Sequence, residues 1–267
     1  MVSPPPEPSG QAAGDFLAVD RISVRFGGLK ALDEVSFGLT QGEVLCLIGP
    51  NGSGKTTLFN VISGLLRPTS GAVRFKGSEI QNLKSHRVAA AGIGRTFQNA
   101  RLFPGLTIFE NLVLPQFVRS PTGFFDALLT TPRQRAEQKA VTQRAEQLLG
   151  ELGGGRLFAR RFDYPTSCSL GEQRMIELMR VLALDPELVL MDEPTQGLNP
   201  TWIVEMLDLV EDVRKRGKTI LFVEHKMSVV MKISDRIVVL NNGRKICEGP
   251  PEEVRNDPQV LHAYLGQ

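Results

Sequence analysis

The sequence predicts an α/β fold: a largely parallel sheet with helices on its faces, an N-terminal antiparallel β subdomain and an inserted α-helical subdomain. Three observations predict it. Unbroken apolar runs, Val44-Leu45-Cys46-Leu47-Ile48, Leu188-Val189-Leu190-Met191 and Thr219 to Val223, read as strands buried on both faces. Helical patterns, Thr57 to Leu66, Leu170 to Leu184 and Trp202 to Lys215, alternate with those runs as parallel crossovers require. Outside this alternation lie a polar–apolar patterned segment near the start and a charge-rich helical segment in the middle.

In chain order, residues 1–14 are rich in proline and small residues and read as a disordered tail, leaving 15–267 as one domain. Leu17-Ala18-Val19, Ile22 to Phe26 and Val35 to Leu39 alternate polar and apolar residues, the pattern of antiparallel strands with one wet face. Gly71-Ala72-Val73-Arg74-Phe75, flanked by turn residues, reads as a further strand. About 99–167 the character changes: Thr131 to Leu149 has helical periodicity with many charges, and Gly153-Gly154-Gly155 interrupts it. This marks a helical insertion. No internal repeat is present.

A formal net charge of +2 is too mild to imply a nucleic-acid partner. Cys46, Cys168 and Cys247 lie far apart with no CxxC spacing, so neither a zinc site nor a disulfide framework is expected. Reduced thiols in the cytosol are the simplest reading. No apolar run approaches the roughly 20 residues that span a bilayer, and no charged-then-apolar leader opens the chain. A membrane role must come through a partner.

The chemistry begins at Gly49-Pro50-Asn51-Gly52-Ser53-Gly54-Lys55-Thr56-Thr57. The spacing G-x-x-x-x-G-K-T, between a buried strand and a helix, is that of a P-loop. Glycines 49, 52 and 54 let consecutive N–H groups converge on one anion, and the helix N-terminus adds its dipole. Lys55 would reach the β- and γ-phosphates, and the Thr56 hydroxyl would ligate Mg²⁺. At the end of the second buried run stand Asp192 and Glu193, at the carboxyl edge where α/β sheets gather ligands. Asp192 would act on Mg²⁺ from outside its inner ligands, and Glu193 would polarise the attacking water.

Order and spacing resemble the nucleotide-binding subunits of ABC transporters from about Phe16 to Gln267. The resemblance implies a P-loop NTPase (RecA-like) core that hydrolyses ATP with Mg²⁺. It places Phe26 against adenine and makes Gln98, in Arg95-Thr96-Phe97-Gln98, the residue that contacts Mg²⁺ and water and senses the membrane partner. Ser169-Leu170-Gly171-Glu172-Gln173 matches the signature motif, so Ser169, Gly171 and Glu172 join the ATP-binding set. Gly197-Leu198-Asn199-Pro200 occupies the D-loop, and His225 the switch position facing the γ-phosphate. Cys168 stands where leucine is usual, Leu170 where glycine often stands, and Asn199 where aspartate is usual. In the family the signature motif of one subunit closes over the P-loop nucleotide of another.

Within the family, Ile93 to Asn99, Arg101-Leu102-Phe103, Leu106 to Leu112, Gly123-Phe124-Phe125 to Ala136, Val223-Glu224-His225 and the ending His262 to Gly266 are similar to ATPases of branched-chain amino-acid importers, the LivG type. Thr195-Gln196 and the Ser-Leu-Gly-Glu-Gln motif fit that type less well. A urea or short-amide importer ATPase, a lipid-exporter ATPase and a soluble regulatory ABC ATPase are the alternatives. The resemblance implies permease subunits, a second ATPase subunit in a hetero- or homodimer, and an extracytoplasmic substrate-binding protein. It implies a peripheral position on the cytoplasmic face of the inner membrane. Phe97, Leu102, Phe103, Leu106 and Phe109 would form the groove that receives a membrane-subunit helix.

Overall fold

The computed structural model describes residues 16–97, 102–119 and 132–265. The expected tail 1–14, the residue Gln98 and the segment Gly123-Phe124-Phe125 lie outside the described residues.

Two sheets share the load. The larger has six strands: β3 (Val44–Ile48), β6 (Ile93–Arg95), β7 (Leu188–Asp192), β8 (Thr219–Val223), β9 (Arg236–Asn241) and β10 (Arg244–Gly249), in the order β10-β9-β3-β8-β7-β6. Every neighbouring pair is parallel except β9–β10, a hairpin at the edge. The three apolar runs of the sequence are β3, β7 and β8, and every residue in them is buried. The sheet needs helices on both faces because its strands are apolar on both. On one face lie α6 (Leu170–Leu182), α7 (Pro200–Lys215) and α8 (Met227–Ile233), in a cluster that takes Cys46, Ile48, Met191 and Phe222 from the strands.

The other face of β3 packs with α1 (Lys55–Ile62) and the second sheet. That sheet is antiparallel, with β1 (Leu17–Phe26), β2 (Leu29–Leu39), β4 (Ser70–Phe75) and β5 (Ser78–Glu79) in the order β2-β1-β4-β5. The two short runs expected at Leu17 and Ile22 are one strand, bent at a register shift where Arg21 has φ +45°. Its apolar residues interleave with Leu45, Leu47, Leu58 and Phe59. Fully buried side chains such as Phe59 and Phe222 each contribute ~1.5–3 kcal/mol, and Phe59 fastens the P-loop helix to both sheets.

Between β6 and β7 the described residues include, before α6, the helices α3 (Ile108–Val113), α4 (Pro132–Leu152) and α5 (Arg156–Ala159). Thr107 caps α3 through a full capping box with Glu110. α4 ends at Leu152 as the three glycines begin, and buries Ala145, Leu148, Leu149 and Leu152 against the α6 side of the core. Two further helices, α2 (Ser85–Ala90) and α9 (Pro251–Asn256), flank the sheets, and α10 (Pro258–Leu265) closes the described chain. Among the described residues no helix is long and apolar enough to cross a membrane. The three cysteines are free thiols in this structure, Cys46 and Cys168 buried and Cys247 partly so.

Candidate functional site

A cleft of about 460 Å³ opens where the two sheets meet, lined by the P-loop, Phe26, Leu29, Lys30, Glu193, His225, Asn242 and Gly243. Its floor follows from the sequence. β3 delivers the chain to Gly49, whose φ of +149° and close approach to the Leu240 carbonyl leave no room for a side chain: a Cβ would sit 2.1 Å from that oxygen. Gly54, at φ +104°, is hemmed in by Ala31 O and Leu32 Cδ2, 2.7 and 2.6 Å from a Cβ built there. The loop is thereby pinned to β9 on one side and β2 on the other. The Ser53 carbonyl also accepts from Gly243 N–H at 3.1 Å.

Lys55 starts α1 and is buried. Its ammonium donates to Gly49 O at 2.7 Å and Pro50 O at 2.8 Å, arching over the loop. Burial lowers its pKa from the ordinary lysine value, while Glu193 and Asp192 oppose that shift. A cation so placed exchanges carbonyl partners for phosphate oxygens with little movement. Thr56 is exposed at the loop mouth, and Phe26, 51% exposed, presents a ring at the cleft edge.

Opposite the loop, β7 ends in Asp192, which is buried, and Glu193, whose φ of +52° turns the chain sharply as it leaves the strand. A non-glycine residue in that region costs ~1–3 kcal/mol and persists where its surroundings hold it. Here Glu193 N–H donates to Val223 O at 3.0 Å, and Glu193 Oε1 lies 2.7 Å from His225 Nε2. The structure thus brings Lys55, Thr56, Glu193 and His225 to one cleft from three different strand ends, with Asp192 buried outside its lining but near enough to act on the Lys55 charge.

Sequence reasoning overlooked what holds these groups. Arg95, on β6, is half-buried as a residue, with only 7% of its side chain exposed, and its guanidinium reaches Asp192 Oδ2 at 3.0 Å, Asn60 Oδ1 at 2.8 Å and Ser63 Oγ at 2.7 Å. It also lies over the Phe59 and Phe97 rings. A lone arginine between Gly94 and an apolar interior was the available signal. Buried Glu224 accepts from Thr195 N–H at 3.0 Å, Thr195 Oγ at 2.5 Å and His225 N–H at 3.0 Å, tying the segment after Glu193 to the histidine. Lys30, at the start of β2, and Asn242 and Gly243, in the turn between β9 and β10, line the cleft without belonging to a motif.

The signature residues are not part of this cleft. Ser169 caps α6, accepting from Glu172 N–H, and Glu172 returns a carboxylate to the Ser169 N–H at 2.8 Å. Ser169 and Leu170 are exposed at that end while Gly171 and Glu172 are buried. Trp202 of α7 presses on Gly171 so closely that a Cβ there would meet its ring at 2.1 Å. Glu172, expected among the ATP contacts, has its carboxylate directed at its own helix cap and at Arg160 and Arg156, at 3.0 and 3.4 Å. Asn199 accepts from Trp202 N–H at 3.0 Å, so the residue that departs from the usual aspartate is the N-cap of α7. Of the expected groove, Phe103 is exposed, whereas Leu102 and Phe109 pack partly against the core.

Residues 32–196 match the family model described as ABC transporter, and residues 244–267 match that of the branched-chain amino acid ATP-binding cassette transporter. Over 253 residues the chain is 41% identical to the high-affinity branched-chain amino acid transport ATP-binding protein LivG of Salmonella typhimurium, covering 94% of this chain and 98% of that one. It is 32% identical over 252 residues to the lipopolysaccharide export system ATP-binding protein LptB of Haemophilus influenzae, with the same coverage. Among solved structures, the ADP conformation of MJ1267, an ATP-binding cassette of an ABC transporter, superposes with a TM-score of 0.82 at 32% identity, covering 95% of this chain and 99% of that one. The dimeric MJ0796 cassette does so with a TM-score of 0.72 at 26% identity, covering 88% and 98%.

Proposed function

Because the chain belongs to the ABC transporter ATP-binding family, we propose that it is the ATP-hydrolysing subunit of an importer of branched-chain amino acids. The observation that carries the cargo is the similarity at 41% identity to a LivG protein over 94% of the chain, together with the C-terminal match at 244–267. Similarity to the lipid-export ATPase extends equally far at only 32%.

The chemistry follows from the cleft. The N–H groups of the loop from Asn51 to Thr57 and the α1 N-terminus cradle the β- and γ-phosphates, and Lys55 moves from Gly49 O and Pro50 O onto them. Phe26 stacks on the base. The donors on offer, the Thr56 hydroxyl and the Asp192 carboxylate, are hard oxygens that suit Mg²⁺, which when bound would neutralise charge between the phosphates. Thr56 would hold the ion, and Asp192 would act through its water ligands. Gln98 takes its role by resemblance alone. Glu193 accepts a proton from the attacking water, and His225, 2.7 Å away, fixes that carboxylate and faces the γ-phosphate.

Ser169 and Gly171 lie outside the cleft of their own chain, so each completes the site of a second ATPase subunit. The working unit is a dimer on two permease subunits, peripheral to the cytoplasmic face of the inner membrane and served by an extracytoplasmic binding protein. The test is recovery of the tagged chain in mild detergent with identification of what accompanies it, followed by uptake of leucine, isoleucine and valine after deletion. Co-recovered permeases and lost uptake are expected. Recovery with lipid-export subunits, or with cytosolic proteins alone, would overturn the importer reading.

A further inference from the structure

The α6 N-terminus holds a conflict. In the proposed ATPase dimer, on which the inference rests, Ser169 and the first amides of α6 receive the γ-phosphate of a nucleotide bound to the other subunit. Yet a carboxylate, Glu172, sits in the same helical turn. Its Oε2 accepts both the N–H and the O–H of Ser169, at 2.8 and 3.1 Å. The hydroxyl needed by the phosphate is held by an anion that also repels that phosphate.

The other carboxylate oxygen resolves it. Glu172 Oε1 meets Arg160 Nη1 at 3.0 Å and Arg156 Nε at 3.4 Å. Both arginines are held from elsewhere. Arg160 donates to Asp163 at 2.9 Å and to the Ser167 carbonyl and hydroxyl at 3.1 Å. Arg156 reaches Glu205 at 3.2 Å and lies over the Trp202 ring, 4.7 Å from its centre. Asp163 and Glu205 are much more exposed than Glu172, 47% and 37% against 8% of their side chains. Water screens those two acids, and the arginine charge acts most strongly on the buried one. Burial alone raises the Glu172 pKa, but the Ser169 hydrogen bonds and the two arginines bring it below the ordinary glutamate value.

We propose that Arg160 and Arg156 are positioning residues of the Ser169 half-site: they orient Glu172 and offset its charge, so that the α6 N-terminus attracts a nucleotide phosphate instead of repelling it. They touch neither nucleotide nor reacting atoms. Their effect is electrostatic and is confined to the step that closes two subunits over ATP.

The experiment uses the full chain carrying Glu193→Gln, in which ATP accumulates in the closed dimer, and follows dimer formation by light scattering as ATP is titrated. Arg160→Gln is expected to raise the ATP concentration for half-closure by about tenfold or more, as an uncompensated like charge at an interface does. Adding Glu172→Gln to that variant removes the charge that needed offsetting and is expected to return closure to within about threefold of the parent. A merely structural arginine gives no such rescue. Thermal melts of each variant report folding separately. Closure unchanged by Arg160→Gln, or a double variant no better than the single, overturns the proposal. A parent that fails to dimerise with ATP, both alone and with the second ATPase subunit recovered alongside it, overturns the two-subunit site itself, and the arginine role with it.

Discussion

Replacing Gly171 by alanine tests whether the contact between α6 and α7 sets the geometry of the α6 N-terminus. The added Cβ would lie 2.1, 2.4 and 2.5 Å from Cδ2, Cγ and Cε3 of Trp202. Carbon atoms pack at about 3.5–4.0 Å, so the ring or one helix must retreat by roughly 1.5 Å. Trp202 is itself pinned: its N–H is the bond that Asn199 caps, and Arg156 covers its outer face. Overpacking of this kind costs about 1–3 kcal/mol. For a chain of this size that lowers Tm by about 2–4 °C per kcal/mol. Trp202 is the chain's single tryptophan, so tryptophan emission reports the surroundings of this one ring. Urea unfolding followed at that emission should show a lower midpoint and an altered native spectrum. Combining Gly171→Ala with Trp202→Leu, followed by circular dichroism, should recover about 1 kcal/mol or more relative to the sum of the single changes. An unchanged emission spectrum with a stability loss below about 0.5 kcal/mol would refute the reasoning.

Four further outcomes are expected. Glu193→Gln should slow ATP hydrolysis by about 10²–10⁴-fold with binding retained, about 3–5 kcal/mol of barrier; a single-turnover assay showing less than a tenfold loss removes Glu193 as the base. Lys55→Ala should weaken ATP binding by about 1.5–3 kcal/mol, the range for hydrogen bonds to charged groups, read by calorimetry; unchanged affinity counts against the cradle. Arg95→Met removes the guanidinium 3.0 Å from buried Asp192 and should destabilise the fold by about 3–5 kcal/mol, with chemical denaturation as the check and a loss under 1 kcal/mol as the contrary result. Tyr264, surrounded by apolar core, has its pKa pushed up by burial to about 12. Since the unfolded chain ionises near 10, stability should be intact below pH 10 and fall between pH 10 and 12, as the unfolded state loses its proton first. Tyr264→Phe should flatten that fall in alkaline melts, and an equally steep decline in the variant would contradict it.

The core strands were legible because burial on both faces demands unbroken apolar residues, and Val44–Ile48 and Thr219–Val223 have no other reading. The P-loop was legible because its glycines are compelled by backbone close to Leu240 and Ala31. The hairpin β9–β10 was not anticipated, although Asn242-Gly243 is a hairpin turn signal, and the pairing of β9 to β3 is a contact across nearly two hundred residues that no local pattern reports. Arg95 and Glu224 were visible only as letters beside motifs. Their importance lies in partners, Asp192 and Thr195, brought near by the sheet. Glu172 was placed among the ATP-binding residues by its motif, which does not report that the start of a helix draws its carboxylate onto Ser169.

The hydrogen bond from Gly243 to Ser53 also sets a clock. A ribosome adds about 5–20 residues per second, so roughly 10–40 s separate the synthesis of the phosphate loop from that of the turn that braces it. During that interval every nucleotide motif up to His225 can be present in the nascent chain while the cradle still lacks its far wall. Cellular ATP therefore meets a finished site only once the Gly243 turn has left the ribosome and folded back on the loop, and nucleotide capture becomes a sealing event of folding.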